Sequence, residues 1–319
     1  MKRVKKIARL LLNFFVISSL TLSLLEVSYR YQWIDFYSTE WNSLNENQEN
    51  PSNEKVLIFG DSFSADPKGW VEKLREIDTN TNYFNASIPG VGLETFRLIA
   101  KDRLQEVNPT RVIVQLYVGN DLFDLDKPLN WSELSILRNL FWSFGSKFRV
   151  LNYLNYKSGQ FSQPSVDSDS KLEESFTVSN YSKRTKLYIR AQKNYPLPAV
   201  NLDGESLEIF NELIEALNEI KEMLNKGVKL SVLVIPHCAQ VHQKYRDRFR
   251  SLGSDLSELK VQENTWSKKL ANEGFEVIDP FLTFKQNEEL GKALYFENDP
   301  HLNRQGQELL SKFVKNQLQ

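Results

Sequence analysis

The chain has 319 residues, 41% of them hydrophobic, enough for one large core or for one domain carrying an inserted segment. Forty basic residues against 41 acidic give a net charge of −1, and no long basic stripe lies beyond the N-terminus, so nothing draws this surface to nucleic acid. Cys238 is the single cysteine, which excludes an intrachain disulfide and a cysteine-based zinc site.

The N-terminus opens with Lys2, Arg3, Lys5, Lys6 and Arg9, and then Leu10 to Leu25 runs 16 residues without a charge. A spanning helix needs roughly 17 to 25 apolar residues, and Ile7, Ala8 and Val27 extend the run towards that. The run has no polar face and follows a cationic patch, which fits a buried helix of a soluble domain poorly. A cleaved signal peptide is the closer rival, but Thr21-Leu22-Ser23 is a weak cleavage site and Leu24-Leu25 a poor mature start. Residues 1–30 therefore read as an uncleaved single-pass anchor in the cell membrane. Its basic end stays in the cytoplasm, and the rest of the chain lies on the extracytoplasmic side. Residues 31–54 read as a tether, because 38–54, "STEWNSLNENQENPSNE", has no sustained apolar period.

From residue 55 strands and helices alternate, over a domain reading of 55–319. "KVLIF" (55–59) is a buried-strand run; Trp70, Leu74 and Ile77 have helical spacing; "NYFNAS" (82–87) is a short strand. Leu93, Phe96, Ala100, Leu104 and Val107 mark a helix, and "RVIVQLY" (111–117) is a strand rich in β-branched residues. Residues 122–200 break the rhythm and read as an insertion. Its first part is aromatic and basic, and "KSGQFSQPSVDSDSKLEES" is low in apolar content. Beyond it, Leu207 to Leu224 carry a helical stripe closed by Gly227, 228–235 is a strand, 255–273 is mostly helix and 275–279 is a strand. Leu309, Phe313 and Val314 belong to a last helix capped by Asn303. Strands separated by helices imply a parallel sheet covered on both faces, a three-layer α/β/α sandwich.

In such a sheet ligands bind beyond the carboxyl ends of the strands. The first strand delivers Gly60-Asp61-Ser62 there, the second "ASIPGVG", the third Gly119-Asn120-Asp121. A hydroxyl, glycine-freed backbone amides and a side-chain amide on one rim are what acyl transfer requires: a nucleophile and donors for an oxyanion. The base should be one of three histidines, His237, His242 or His301. His301 lies in "YFENDPHLNRQG" beside Asp299, whose carboxylate can fix its tautomer.

"FGDSFS", "NASIPG", "GND" and "DPHLN", in that order, resemble the four blocks of the SGNH (GDSL-type) hydrolases. The resemblance covers 55–119 and about 205–319. It implies a flavodoxin-like fold, Ser62 as nucleophile, His301 as base, and an oxyanion hole of Ser62 N–H, Gly90 N–H and the Asn120 side chain. The family's commonest last block has Asp three residues before His. Here that place holds Asn298, and Asp299 sits two before, which looks like a variant of SGNH-like proteins of bacterial polysaccharide acetylation. The implied activity is a serine esterase cleaving small acyl esters, acetyl above all, on exported or cell-surface carbohydrate, with neither cofactor nor metal. An O-acyltransferase on exopolysaccharide and a non-catalytic membrane-tethered carbohydrate-binding or assembly protein are the alternatives.

Each residue has a plainer reading. Ser62 alone would be a helix-capping serine, Asn120 a turn residue, and Gly90 a left-handed turn after Pro89, a role Gly92 fits better. Asp61 either lines the site or only stabilises the turn or the start of the next helix, and Asp121 is structural. His237-Cys238 is a rival nucleophilic pair, but neighbours in an extended chain face opposite ways. His237 with His242 misses the helical spacing of a metal pair. Trp131, Trp142 and Tyr153 either stack on sugar rings or pack the insertion.

Overall fold

A computed structural model describes residues 2–46, 54–125, 135–159 and 169–318. Its sheet is formed by β1 (Glu54–Phe59), β2 (Thr81–Asn85), β3 (Arg111–Tyr117), β4 (Lys229–Ile235) and β5 (Glu276–Ile278), all paired in parallel in the order β2-β1-β3-β4-β5. The apolar runs explain this arrangement. Val56 to Phe59, Val112 to Val114 and Val232 to Ile235 are buried on both faces, so the sheet needs a helical layer on each side. The helices of the crossovers between parallel strands supply the layers. Trp70–Ile77 packs against Arg304–Leu318, and Leu93–Val107 against Glu205–Glu222. The result is a three-layer α/β/α sandwich with the flavodoxin-like strand order. The chain reverses its winding between β1 and β3, so the two loops leaving those strands part and leave a crevice between them.

The first segments are more ordered than their composition suggests. Val4–Arg30 is one helix, long and apolar enough by length and composition to cross a membrane. Its last turn docks on the insertion: the Glu26 carboxylate accepts from Arg149 N at 3.0 Å and Val150 N at 2.8 Å. The rings of Tyr29, Phe36, Tyr37 and Tyr153 gather with centroids 5.0–6.4 Å apart. The stretch expected to be a loose tether contains the helix Ser38–Asn45, fixed by Trp41. That ring stacks on Phe84, donates Nε1–H to Glu106 at 2.9 Å and lies 4.4 Å beneath the Arg103 guanidinium. Asn45 then closes on the sheet edge, donating to Asn85 O at 2.9 Å and accepting from Asn85 N at 2.8 Å. Residues 47–53 of the tether lie outside the described residues.

Two further expectations change. Within 255–273 only Thr265–Asn272 is helical, because Asp255 Oδ1 accepts from Ser257 N at 3.0 Å and starts a turn instead. Leu256 and Leu259 are buried from that turn. The insertion, where described, is a run of short helices, among them Ile136–Gly145, Arg149–Ser158 and Lys183–Ala191. Tyr153 belongs to the aromatic cluster around Tyr29 and so packs the insertion; Trp131 lies outside the described residues.

The terminal helix is capped by Asn303, whose Oδ1 accepts from Gly306 N at 2.9 Å. A Cβ on Gly306 would stand 2.1 Å from the Leu294 carbonyl oxygen, a backbone atom that cannot step aside. Gly306→Ala is therefore expected to lower stability by about 1–3 kcal/mol, read as a fall in the urea unfolding midpoint of the purified protein.

Candidate active site

β1 ends at Phe59 and the chain must turn sharply. At Gly60 a Cβ would lie 2.6 Å from Gln115 Oε1 and 2.7 Å from Ser64 Oγ, so only glycine fits between the strand end and β3. Gln115 Oε1 also accepts from Asp61 N at 3.2 Å and Ser64 Oγ at 2.8 Å, and Ser64 Oγ accepts from Trp70 Nε1 at 3.0 Å. The turn closes around Asp61, whose side chain accepts from Phe63 N at 2.9 Å and whose carbonyl accepts from Ser64 N and Ala65 N. These bonds use the amides of residues 63 to 65 and leave Ser62 at the tip, its own N–H outside the turn's bonding.

His301 arrives from the other end of the chain. Tyr295 and Leu302 form an antiparallel bridge, Phe296 N donates to His301 O at 3.0 Å, and Tyr295 Oη donates to Pro236 O at 2.9 Å. The 296–301 loop is thus closed on itself and tied to the end of β4. The Phe63 ring lies flat against the imidazole, centroids 4.7 Å apart. In this setting Ser62 Oγ stands 2.8 Å from His301 Nε2, across 239 positions of sequence.

Asp299 bonds His301 twice: Oδ1 meets the ring Nδ1 and accepts the His301 backbone N–H at 2.9 Å. Two-residue spacing thus suffices for the carboxylate to reach the imidazole. Asn298, in the place of the commonest acid, is fully buried and bonded to the insertion. It accepts from Ser182 N at 2.8 Å through its carbonyl and from Thr177 N at 3.3 Å through Oδ1. It donates to Leu172 O at 3.0 Å and, through Nδ2, to Glu174 O at 2.7 Å. That docking brings the Ser182 hydroxyl to Asp299 as a further hydrogen-bond partner.

The electrostatics follow from these contacts. Burial pushes the Asp299 carboxyl up, but the charge of His301 and the bonds from His301 and Ser182 outweigh it and hold the group below its usual range. Burial pushes His301 down, yet the Asp299 carboxylate, with help from Asp61, holds it above its ordinary 6.5 against the opposing charge of Arg184. Asp61 is raised by burial, opposed by the Phe63 amide and the charge of His301.

Ser62, Gly90, Asn120, Asp299 and His301 line one cavity of about 370 Å³. Gly90 takes the left-handed conformation, φ 73°, while Gly92 has φ −115° and leads into the helix Leu93–Val107. The left-handed glycine after Pro89 is therefore Gly90 and not Gly92. Asp121 is a structural residue: its Oδ2 accepts from Tyr117 N at 2.8 Å and holds the end of β3. Sequence reasoning missed the part of the wall that comes from the insertion: Leu172, Ser182, Arg184, Thr185, Tyr188 and Tyr195. Its only signal was local, Ser182 preceding a helical run as its N-cap.

The rival sites dissolve. His237 is fully buried, its Nδ1 accepts from Ala239 N, and burial pushes it down to about 3. Cys238 is buried and burial pushes its thiol up, away from the thiolate a nucleophile needs. His242 Nδ1 accepts from Lys244 N and caps the next helix.

No family model and no curated protein matches the chain. Solved structures that it is similar to include a lipolytic G-D-S-L family protein from Veillonella parvula (11% identity, 82% of this chain and 97% of that one, TM-score 0.42). An acetyl xylan esterase (12%, 83% and 100%, TM-score 0.41) and a catalytic mutant of an acetylxylan esterase from Geobacillus stearothermophilus (10%, 83% and 94%, TM-score 0.41) also resemble it. At such scores the likeness decides neither activity nor substrate.

The charge balance is directly measurable. The His301 imidazole is expected to titrate above 6.5 in the folded protein, and Asp299→Asn to move that midpoint downward because burial and Arg184 then act with less opposition. NMR titration of the histidine ring signals reads both values; an unmoved midpoint in Asp299→Asn would contradict the pairing.

Proposed function

We propose that the protein is a membrane-anchored serine esterase of the SGNH type. One observation carries the reading: a serine hydroxyl 2.8 Å from an imidazole whose other nitrogen is held by a buried carboxylate. In this mechanism Ser62 Oγ attacks the ester carbonyl carbon while His301 Nε2 takes its proton. The tetrahedral oxyanion accepts hydrogen bonds from Ser62 N–H, Gly90 N–H and the Asn120 side chain. His301 returns the proton to the departing alcohol, leaving an acyl-enzyme that water, deprotonated by the same imidazole, cleaves. Asp299 stabilises the imidazolium at both proton transfers.

The substrate is a small acyl ester, acetyl in the first instance, of an exported or cell-surface carbohydrate. The polar groups that Ser182, Lys183, Arg184, Thr185 and Tyr188 bring to an otherwise largely apolar cavity support an ester with an acyl group and a hydroxyl-bearing alcohol portion. The helix Val4–Arg30, following a cationic stretch, supports an anchored protein with this domain outside the cytoplasm. The chain divides accordingly into the anchor at 1–30, the connecting segment 31–54 and the catalytic domain 55–319 with its insertion at 122–200.

Fluorophosphonate is expected to label Ser62 covalently, located by mass spectrometry, and His301→Ala to abolish labelling; an adduct elsewhere would sink the reading. Asp299→Asn should lower kcat roughly 10³- to 10⁴-fold, and Asn120→Ala roughly 10²- to 10³-fold, measured with a short-chain aryl ester. Because the base works only as neutral imidazole, the acid limb of kcat/KM should lie above pH 6.5.

A further inference from the structure

The helix Ile136–Gly145 is apolar on two sides. Its residue Trp142 packs towards the core. On the other side Ile136, Leu137, Leu140 and Phe144 are 75%, 72%, 49% and 56% exposed. At 100° per residue these four fall within an arc of about 100°, and Trp142 lies roughly opposite. The stripe therefore faces directly away from the body of the protein.

The position of that helix decides what meets the stripe. It turns through Ser146 to Phe148 into the helix Arg149–Ser158, and the two cross so closely that a Cβ on Gly145 would stand 2.5 Å from Asn152 Oδ1. The N-terminus of Arg149–Ser158 rests on Glu26, and Arg30 Nη2 donates to Lys147 O at 2.9 Å. Glu26 directly follows the uncharged run Leu10–Leu25. The corner joining the two insertion helices is thus pinned where the apolar length of the first helix ends, the level at which a hydrocarbon layer gives way to headgroups. Exposed Tyr31, Trp33 and Ile34 follow at the same end of that helix, and Tyr and Trp favour this boundary.

We infer that Ile136–Gly145 is an interfacial membrane helix, its Ile136/Leu137/Leu140/Phe144 stripe seated in the headgroup region of the bilayer that the first helix crosses. The inference rests on the anchored reading above and adds a second contact to it. A stripe of this width lying in the membrane plane buries in the headgroup and upper acyl region. Two separate contacts, one spanning and one lying flat, fix the orientation of the domain, where a single span would let it swivel.

The test uses the full chain in vesicles of phosphatidylcholine and phosphatidylglycerol in equal parts, with nitroxide labels at Leu140→Cys, Phe144→Cys, Leu20→Cys and Lys312→Cys, one at a time. Cys238 is buried and stays unlabelled. Fluorophosphonate labelling of each variant verifies the fold. Labels at 140 and 144 are expected to relax with oxygen and be shielded from a water-soluble nickel complex, at shallower depth than 20, while 312 behaves as aqueous. If 140 and 144 match 312 while 20 reads as lipid, the second contact is wrong and the anchor stands. If 20 also reads as aqueous, the anchored reading falls and this inference with it. Spin–spin broadening at 140 between copies in dilute vesicles would assign the stripe to a second chain and overturn the lipid contact.

Discussion

The hydrogen bond between Ser62 and His301 joins two distant parts of the chain on one rim of the sheet, and the turns around it hold its partners in place. On one side the β1 turn is closed by Gln115 from the neighbouring strand, which occupies the space any side chain at residue 60 would need. On the other, a bridge between Tyr295 and Leu302 and the bond from Tyr295 to Pro236 tie the histidine loop to β4. Neither Ser62 nor His301 itself reaches its partner on a long flexible side chain. A serine and an imidazole positioned by backbone turns lose little entropy when they meet, which favours a preorganised pair.

The charges around the pair are arranged in compensation. Asp61 and Asp299 both favour the protonated imidazole, while Arg184, brought in by the insertion, opposes them. Too high a midpoint would leave the base occupied by a proton at neutral pH, and too low a midpoint would weaken it. The insertion therefore touches the chemistry as well as the walls of the cavity, through Arg184 and through the hydroxyl that Ser182 presents to Asp299.

What could be read in the residues and what could not divides along physical lines. Strands buried on both faces appear as unbroken apolar runs, so β1, β3 and β4 were legible to within a residue or so, and with them the parallel sheet and the rim where Ser62, Gly90 and Asn120 emerge. Helix Ser38–Asn45 was not, because its two buried apolar side chains, Trp41 and Leu44, are too few for a sustained period, and polar bonds complete the hold. Within 255–264 buried leucines mimic a helical period that an Asx turn pre-empts. The insertion's wall was invisible because its docking on the histidine loop runs through isolated polar contacts, those of Asn298 among them, and single polar residues carry no periodic signal. Which of two nearby glycines turns left-handed is set by the loop's path across the cavity, which spacing alone does not encode.

Asn45 has one more consequence. Its amide mimics a strand residue, filling both the donor and the acceptor slot of Asn85 on the outer side of β2, while Trp41 covers the neighbouring Phe84. An outermost strand with open backbone groups invites another molecule to add its own. A protease or an engineered truncation that frees the domain at residue 54 would uncover that margin and turn a well-behaved protein into one prone to sticking to itself; a cut ahead of Tyr37 would keep the seal.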